Sequence, residues 1–368
     1  MNVADPSIPG RYAITACALC TISYLNSGDD IDPKAIVHAV EKAHEINYDP
    51  GNYDPENPKL NPPQTMMPTT VVWGPAFLPV SGHDTYSMMY IAQVTGSSEY
   101  FVVIRGTNPE SVKSWVFEDF AVDTIELLTA LPGWPSTVQP GNNCMISQGA
   151  FNGLSDLISL VNAKQQTAVA FLQAVLKADS DAYIYVTGHS LGGALAPVLF
   201  TYLNAVLFAG ATYSNMAMWS FAGLTAGGTV FNNYLNSFVT VAALTWRHQN
   251  SLDVAPHLFG PYVNDTLPAG ITGLFENLPD PQDDTPIDTL SNGLLKYLFS
   301  KANAVTAKDN HIPPGLAFYS QPTGSDCIIT GTFETLKPIV GIPIWAEQVF
   351  YQHHSTTYYQ MVFVHYNT

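Results

Sequence analysis

Gly188-His189-Ser190-Leu191-Gly192 sets one serine between two glycines, each two positions away. A serine so framed could serve as a nucleophile if the chain reverses sharply there. A strand that turns into a helix within a few residues leaves no room for a Cβ two residues before or after the turn. It also lifts the serine Oγ above the sheet edge. The flanks fit this reading: Ile184-Tyr185-Val186 reads as a buried strand, and Leu195, Val198, Leu199 and Leu203 follow at helical spacing. The start of that helix would aim free N–H groups and a partial positive charge at the place where an oxyanion forms.

A serine hydroxyl is a poor nucleophile at neutral pH. It needs a histidine base, and the histidine needs a carboxylate that fixes its tautomer. On a strand–elbow–helix scaffold the chain order is serine, acid, histidine. Asp253 lies 63 residues beyond Ser190, on a loop past the strand candidate Phe238–Trp246, and fits the acid. The histidines after it are His257, His311, His353, His354 and His365. His257 stands too close to Asp253 to swing in as a separate base. His365, within Met361-Val-Phe-Val, reads as a half-buried strand histidine. His353 and His354 precede Ser355-Thr-Thr-Tyr-Tyr359, and the base is one of these two.

The elements around these residues alternate. Residues 11–46 read as helical, and 47–70 as a Pro- and Asn-rich loop. Strands are expected at Thr85–Val94, Tyr100–Arg105, 182–187, Met216–Phe221 and Phe238–Trp246, with another at Gly315–Ser320. Leu154–Lys177 reads as one strong helix, and a further helix runs from the elbow to about residue 208. Strands alternating with helices indicate a mostly parallel sheet covered on both faces.

Composition narrows the function classes. The 368 residues carry 13 Lys and Arg against 30 Asp and Glu, a formal charge of −17, which disfavours nucleic acid and anionic membranes as partners. No uninterrupted run of 18 apolar residues occurs, so no stable membrane insertion is expected. Met1-Asn-Val-Ala-Asp-Pro6 has neither a basic nor an apolar leader segment, so no signal peptide is expected. Cys17 and Cys20 form a Cys-x-x-Cys within an apolar helix, without the second ligand pair a zinc site needs, and read as small core residues. The Pro/Asp-rich stretch 277–287 reads as a solvated loop rather than a calcium site.

The elbow, the pattern Arg247-x-x-Asn250-x-x-Asp253-x-x-Pro256 and the C-terminal His-Ser-x-x-x-Tyr together resemble the class 3 lipases, the family of filamentous-fungal triacylglycerol lipases. The resemblance implies a single α/β-hydrolase domain over 1–368, a mostly parallel central sheet with helices on both faces. It makes Asp253 the triad acid and matches His354, with Tyr359, to the family histidine; a frame one residue earlier gives His353. Val102-Val-Ile-Arg-Gly-Thr107 is similar to the family's Arg-Gly-Ser/Thr strand end, which implies an oxyanion hole of Thr107 and the Leu191 N–H. Gln148-Gly-Ala-Phe151 is similar to the family's Gly-x-Phe landmark, without the histidine usual there. Residues 108–132 stand where the family has its lid, with Val112, Trp115, Val116 and Phe120 as an apolar face and Glu118 or Asp119 behind the tryptophan. The interval from Asp253 to His354 is about twice what the family requires, so 259–345 reads as an insertion, with an amphipathic stretch at Asp288–Ala304.

The implied activity is carboxylic ester hydrolysis through an acyl-serine, by a triacylglycerol lipase acting at a lipid–water interface without metal or cofactor. The same triad also serves phospholipases A1 and feruloyl esterases, and a non-catalytic binding protein on this fold is the reading from a different class. The low lysine content and the lipase character point to an extracellular protein, with the cytoplasm as alternative.

Overall fold

The computed structural model describes residues 8–25, 32–43, 66–78, 87–106, 125–141, 143–210, 215–238, 245–253, 255–257, 326–331 and 350–367. In chain order these form α1 (Ile8–Ile22), α2 (Pro33–Lys42), β1 (Thr69–Leu78), β2 (Ser87–Val94), β3 (Glu99–Ile104), β4 (Ile125–Leu127) and β5 (Met145–Ser147). Then come α3 (Gln148–Ser159), α4 (Ala168–Ala178), β6 (Tyr183–His189), α5 (Leu191–Phe208), β7 (Met216–Phe221), α6 (Thr229–Phe238), β8 (Thr245–Asn250), β9 (Asp326–Ile329) and α7 (Ser355–Asn367). Thr107, the expected lid residues, His311, the strand at Gly315–Ser320 and the stretch Asp288–Ala304 lie outside the described residues.

Seven strands form one sheet in the order β1-β2-β3-β6-β7-β8-β9. β2 pairs antiparallel with both β1 and β3; from β3 to β9 every pairing is parallel. β4 and β5 pair separately. Alternation along β7 shows why both faces are covered. Met216 and Met218 enter one apolar cluster with α3, α4 and α5, while Ala217, Trp219 and Phe221 enter another with α1, α2 and α7. The expected mostly parallel α/β architecture is what the structure has. Cys17 and Cys20 are buried in the second cluster as free thiols, packed as small apolar residues.

Four expectations change. Residues 11–46 hold two helices, α1 and α2. The helix expected over Leu154–Lys177 is broken between α3 and α4, because Asn162 Oδ1 accepts from Lys164 N at 2.9 Å and Gln166 N at 3.1 Å and closes a turn. Thr167 then caps α4, its Oγ1 accepting from Ala170 N. Of the strand expected at Phe238–Trp246, Phe238 ends α6, residues 239–244 lie outside the described residues, and Thr245 and Trp246 open β8, which runs on to Asn250. His365 lies on α7 rather than on a strand.

α5 has 18 residues and is, among the described residues, long and apolar enough to cross a membrane, but 78% of it is buried within the fold, as befits a core helix. The small and polar residues scattered along it hid that property from a count of consecutive apolar positions. Pro197 lies inside α5 and cannot donate to Gly193 O; Ser220 Oγ on β7 supplies that hydrogen bond at 2.8 Å.

Candidate active site

β6 delivers Ser190 to the sheet's carboxyl edge, and α5 begins at the next residue. Ser190 has φ 60° and ψ −122°, a conformation non-glycine residues rarely take. Close packing holds it there. A Cβ on Gly188 would overlap the Gly192 carbonyl, one on Gly192 the Ile104 carbonyl of β3, and one on Gly193 the Phe221 carbonyl of β7. The glycines thus let strand and helix backbones touch, and Ser190 N donates to Phe221 O at 3.0 Å. Leu191 is the first residue of α5, so its N–H has no carbonyl four residues back within the helix.

Ser190 Oγ is 2.8 Å from His353 Nε2. His353 Nδ1 stands 2.9 Å from Asp253 Oδ2 and 3.1 Å from Oδ1. Asp253 is fully buried, and two further donors support its carboxylate: Tyr358 Oη donates to Oδ2 at 2.7 Å, and Ala255 N donates to Oδ1 at 2.9 Å. Burial and the adjacent Asp253 push the Tyr358 phenol well above its ordinary value, so it remains a donor. The same hydroxyl accepts from Asn250 N at 3.0 Å.

The pattern from Arg247 to Pro256 gains a physical meaning here. Arg247 Nη2 donates to the Pro256 carbonyl at 3.0 Å and closes the loop that carries Asp253. Asn250 Nδ2 donates to Gln352 at its carbonyl (3.0 Å) and Oε1 (2.6 Å), and so pins the residue before His353. The pattern therefore positions both Asp253 and His353.

His354 does not enter the site. Its Nδ1 turns to Thr356, 2.8 Å from Oγ1 and accepting from the backbone N at 3.3 Å, which caps α7. Burial and the neighbouring His353 lower its pKa to about 4. The match of His354 with Tyr359 therefore shifts one residue earlier, to His353 with Tyr358. The spacing is the same, but the phase of α7 aims Tyr358 rather than Tyr359 at Asp253. Tyr358 and Gln352 escaped the sequence reading because their roles exist only across about a hundred residues of chain; the frame alternative was the one available signal. Among the described residues no group of three or more His, Cys, Asp or Glu side chains stands where it would hold a metal ion.

The sheet order and the strand–elbow–helix at its carboxyl edge have the form of the α/β-hydrolase fold. Residues 101–263 match the family model of the class 3 lipases. The structure also superposes on that of M37 lipase with a TM-score of 0.64 at 23% identity, over 97% of this chain and 93% of that one, which shows a shared fold. Looser likenesses include Lip2 lipase from Yarrowia lipolytica (TM-score 0.46, 18% identity, 67% of this chain and 72% of that one). Lipase II from Rhizopus niveus is another (0.42, 16%, 69% and 76%). No curated protein sequence matches the chain. The family match supports a lipase or related ester hydrolase.

Proposed function

We propose that the protein is a serine ester hydrolase, a triacylglycerol lipase in which Ser190, His353 and Asp253 form the catalytic triad. The observation that carries this reading is the unbroken hydrogen-bonded line from Ser190 Oγ through His353 to the buried Asp253. Ser190 Oγ adds to the ester carbonyl carbon while its proton passes to His353 Nε2. The tetrahedral adduct collapses, the C–O bond to the alcohol breaks, and His353 returns the proton to the leaving oxygen. Water then repeats the sequence on the acyl-serine and releases the fatty acid. Asp253, held by Tyr358 and Ala255 N, stabilises the imidazolium at each stage.

The Leu191 N–H at the start of α5 and Thr107 serve as the oxyanion donors. Thr107 is supported by its neighbour: a Cβ on Gly106 would come within 3.1 Å of Ser190 Cβ, so β3 exits against the nucleophile. Val112, Trp115, Val116 and Phe120 form the lid face that meets lipid. The substrate is a neutral lipid ester, in keeping with a charge of −17 that repels anionic surfaces. The extracellular side is its place of work, a reading that rests on the low lysine content and the lipase character.

The test is acid release from tributyrin as its concentration crosses the solubility limit, with Ser190→Ala, His353→Ala and His354→Ala alongside. A rise on emulsion formation, lost in the first two variants and retained in the third, is the expected result. Ser190→Ala retaining full activity would overturn the assignment. Smooth saturation below the limit would replace the lipase by an esterase.

A further inference from the structure

Behind the triad runs a second polar line. His189, the residue before Ser190, is 3% exposed. Tyr24, just past the end of α1, brings its hydroxyl to 3.0 Å from His189 Nδ1 and 3.3 Å from the His189 carbonyl. That hydroxyl also takes a hydrogen bond from the main chain of Gly106, where a Cβ would overlap Tyr24 Oη and the His189 carbonyl. On its far side the His189 ring meets the His353 ring at 5.1 Å between centroids and the Tyr358 ring, nearly edge-on, at 5.4 Å.

We propose that His189, clamped by Tyr24, is a positioning residue for His353 and sets the plane in which the base stands between Ser190 and Asp253. The inference rests on the triad reading above and extends it beyond the three residues. His353 is gripped by hydrogen bonds only at its two nitrogens, which lie near one line through the ring. Rocking about that line would keep both bonds while tilting the Nε2 lone pair away from the Ser190 proton, and such misalignment is costly. A ring packed against His353, here tilted by 40° to it, opposes the rocking, but only if it is itself fixed. Leucine or phenylalanine at 189 would fill the space without an anchor; a histidine offers Nδ1 to the Tyr24 hydroxyl.

A charged ring in this place would oppose the imidazolium that forms on His353. Burial and the proximity of His353 and His354 hold the His189 pKa well below its ordinary value, so the ring is neutral when the enzyme works. The other groups facing the pair are Asp253 at His353 Nδ1, Tyr358, and, beyond the Tyr24 hydroxyl, Arg105 and the Cys20 thiol. Both phenols have raised pKa values and are neutral in the same range.

The experiment compares wild type, Tyr24→Phe, His189→Phe and His189→Asn in two arms. Kinetics use a soluble p-nitrophenyl ester, with each rate divided by the serine titrated with a phosphonate. Proton NMR of the substrate-free enzyme follows the downfield His353 Nδ1–H shared with Asp253. Tyr24→Phe and His189→Phe are expected to lower kcat about tenfold with KM within about twofold, and to shift or broaden the resonance. His189→Asn, which keeps an acceptor for Tyr24, is expected to restore most of both. Unchanged kcat and resonance in Tyr24→Phe and His189→Phe, with only a lower thermal midpoint, would overturn the proposal. Tyr24→Phe removes a single oxygen and decides alone if His189→Phe does not fold. A wild type with the resonance but no hydrolysis would overturn the ester-hydrolase reading, and the NMR arm would still judge the clamp.

Discussion

Tyr358 uses its hydroxyl twice, giving a hydrogen bond to Asp253 Oδ2 and taking one from Asn250 N. Tyr358→Phe therefore strips a buried carboxylate of one donor and leaves a buried N–H without an acceptor. Its expected cost is about 1–3 kcal/mol, read as a lower midpoint in urea. The rate per titrated serine should fall as well, because Asp253 then holds His353 with one support fewer. An unchanged midpoint would mean that water replaces the hydroxyl. At this scale the sequence made Ser190 and Asp253 legible, since each sits in a pattern with a local physical cause: a tight turn for the serine, a strand end for the acid. The histidine was legible only as a pair. Two adjacent histidines at the break before a helix point in different directions, and which one meets Asp253 depends on how α7 lies against β8 and α1. Thr21 Oγ1 donating to the Ser355 carbonyl and Gly10 packing against Tyr366 help to fix that placement, and both contacts join the two ends of the chain.

The elements nearest the serine were the easiest to foresee. β6, α5 and β7 are buried almost throughout, and their runs of apolar residues need little help from distant chain. β1 was missed because Gly74 and Pro75 interrupt its apolar pattern; in the structure its register with β2 shifts on both sides of Trp73. The polar end of β8 was not foreseen, because Arg247, His248 and Asn250 are buried through partners distant in sequence or across a loop: the Pro256 carbonyl, Tyr366 and Gln352. The elbow also yields a prediction at this scale. Gly192→Ala drives a methyl group into the Ile104 carbonyl, which is main chain and cannot rotate aside. Either β3 withdraws from β6 or α5 lifts, so a loss above about 2 kcal/mol is expected, together with loss of the Ser190 geometry. Thermal unfolding and phosphonate labelling of Ser190 would check both effects. A stable variant that labels at the wild-type rate would show that the elbow tolerates a wider angle.

Across the whole molecule, histidines that the fold wholly or largely withdraws from water couple stability to pH. His354 is lowered from its ordinary value near 6.5 to about 4, and His248, stacked on Phe221 and bonded to Tyr366, to about 3; in both, burial is the larger cause. Between these values and 6.5 the unfolded chain binds more protons than the folded protein, so stability rises with pH. The stabilising share is complete above about pH 6.5 and drains away as the pH falls toward 4 for His354 and 3 for His248. At about 1.4 kcal/mol per pH unit, His354 alone accounts for roughly 3 kcal/mol. The net charge of −17 works in the opposite direction, because protonating carboxylates relieves self-repulsion as the solution is acidified. A single melting curve against pH mixes the two effects. His354→Asn separates them: asparagine also caps a helix start, does not titrate, and leaves the carboxylate count unchanged. Denaturant titrations at pH 8 and pH 4.5 should give similar stability for wild type and variant at the higher pH. At the lower pH the variant should be more stable by roughly 2–3 kcal/mol, with ester hydrolysis at pH 8 within about twofold of wild type. Parallel curves would mean that His354 meets water in solution and that the acid response belongs to His248 and His189; a lost activity would return His354 to the triad.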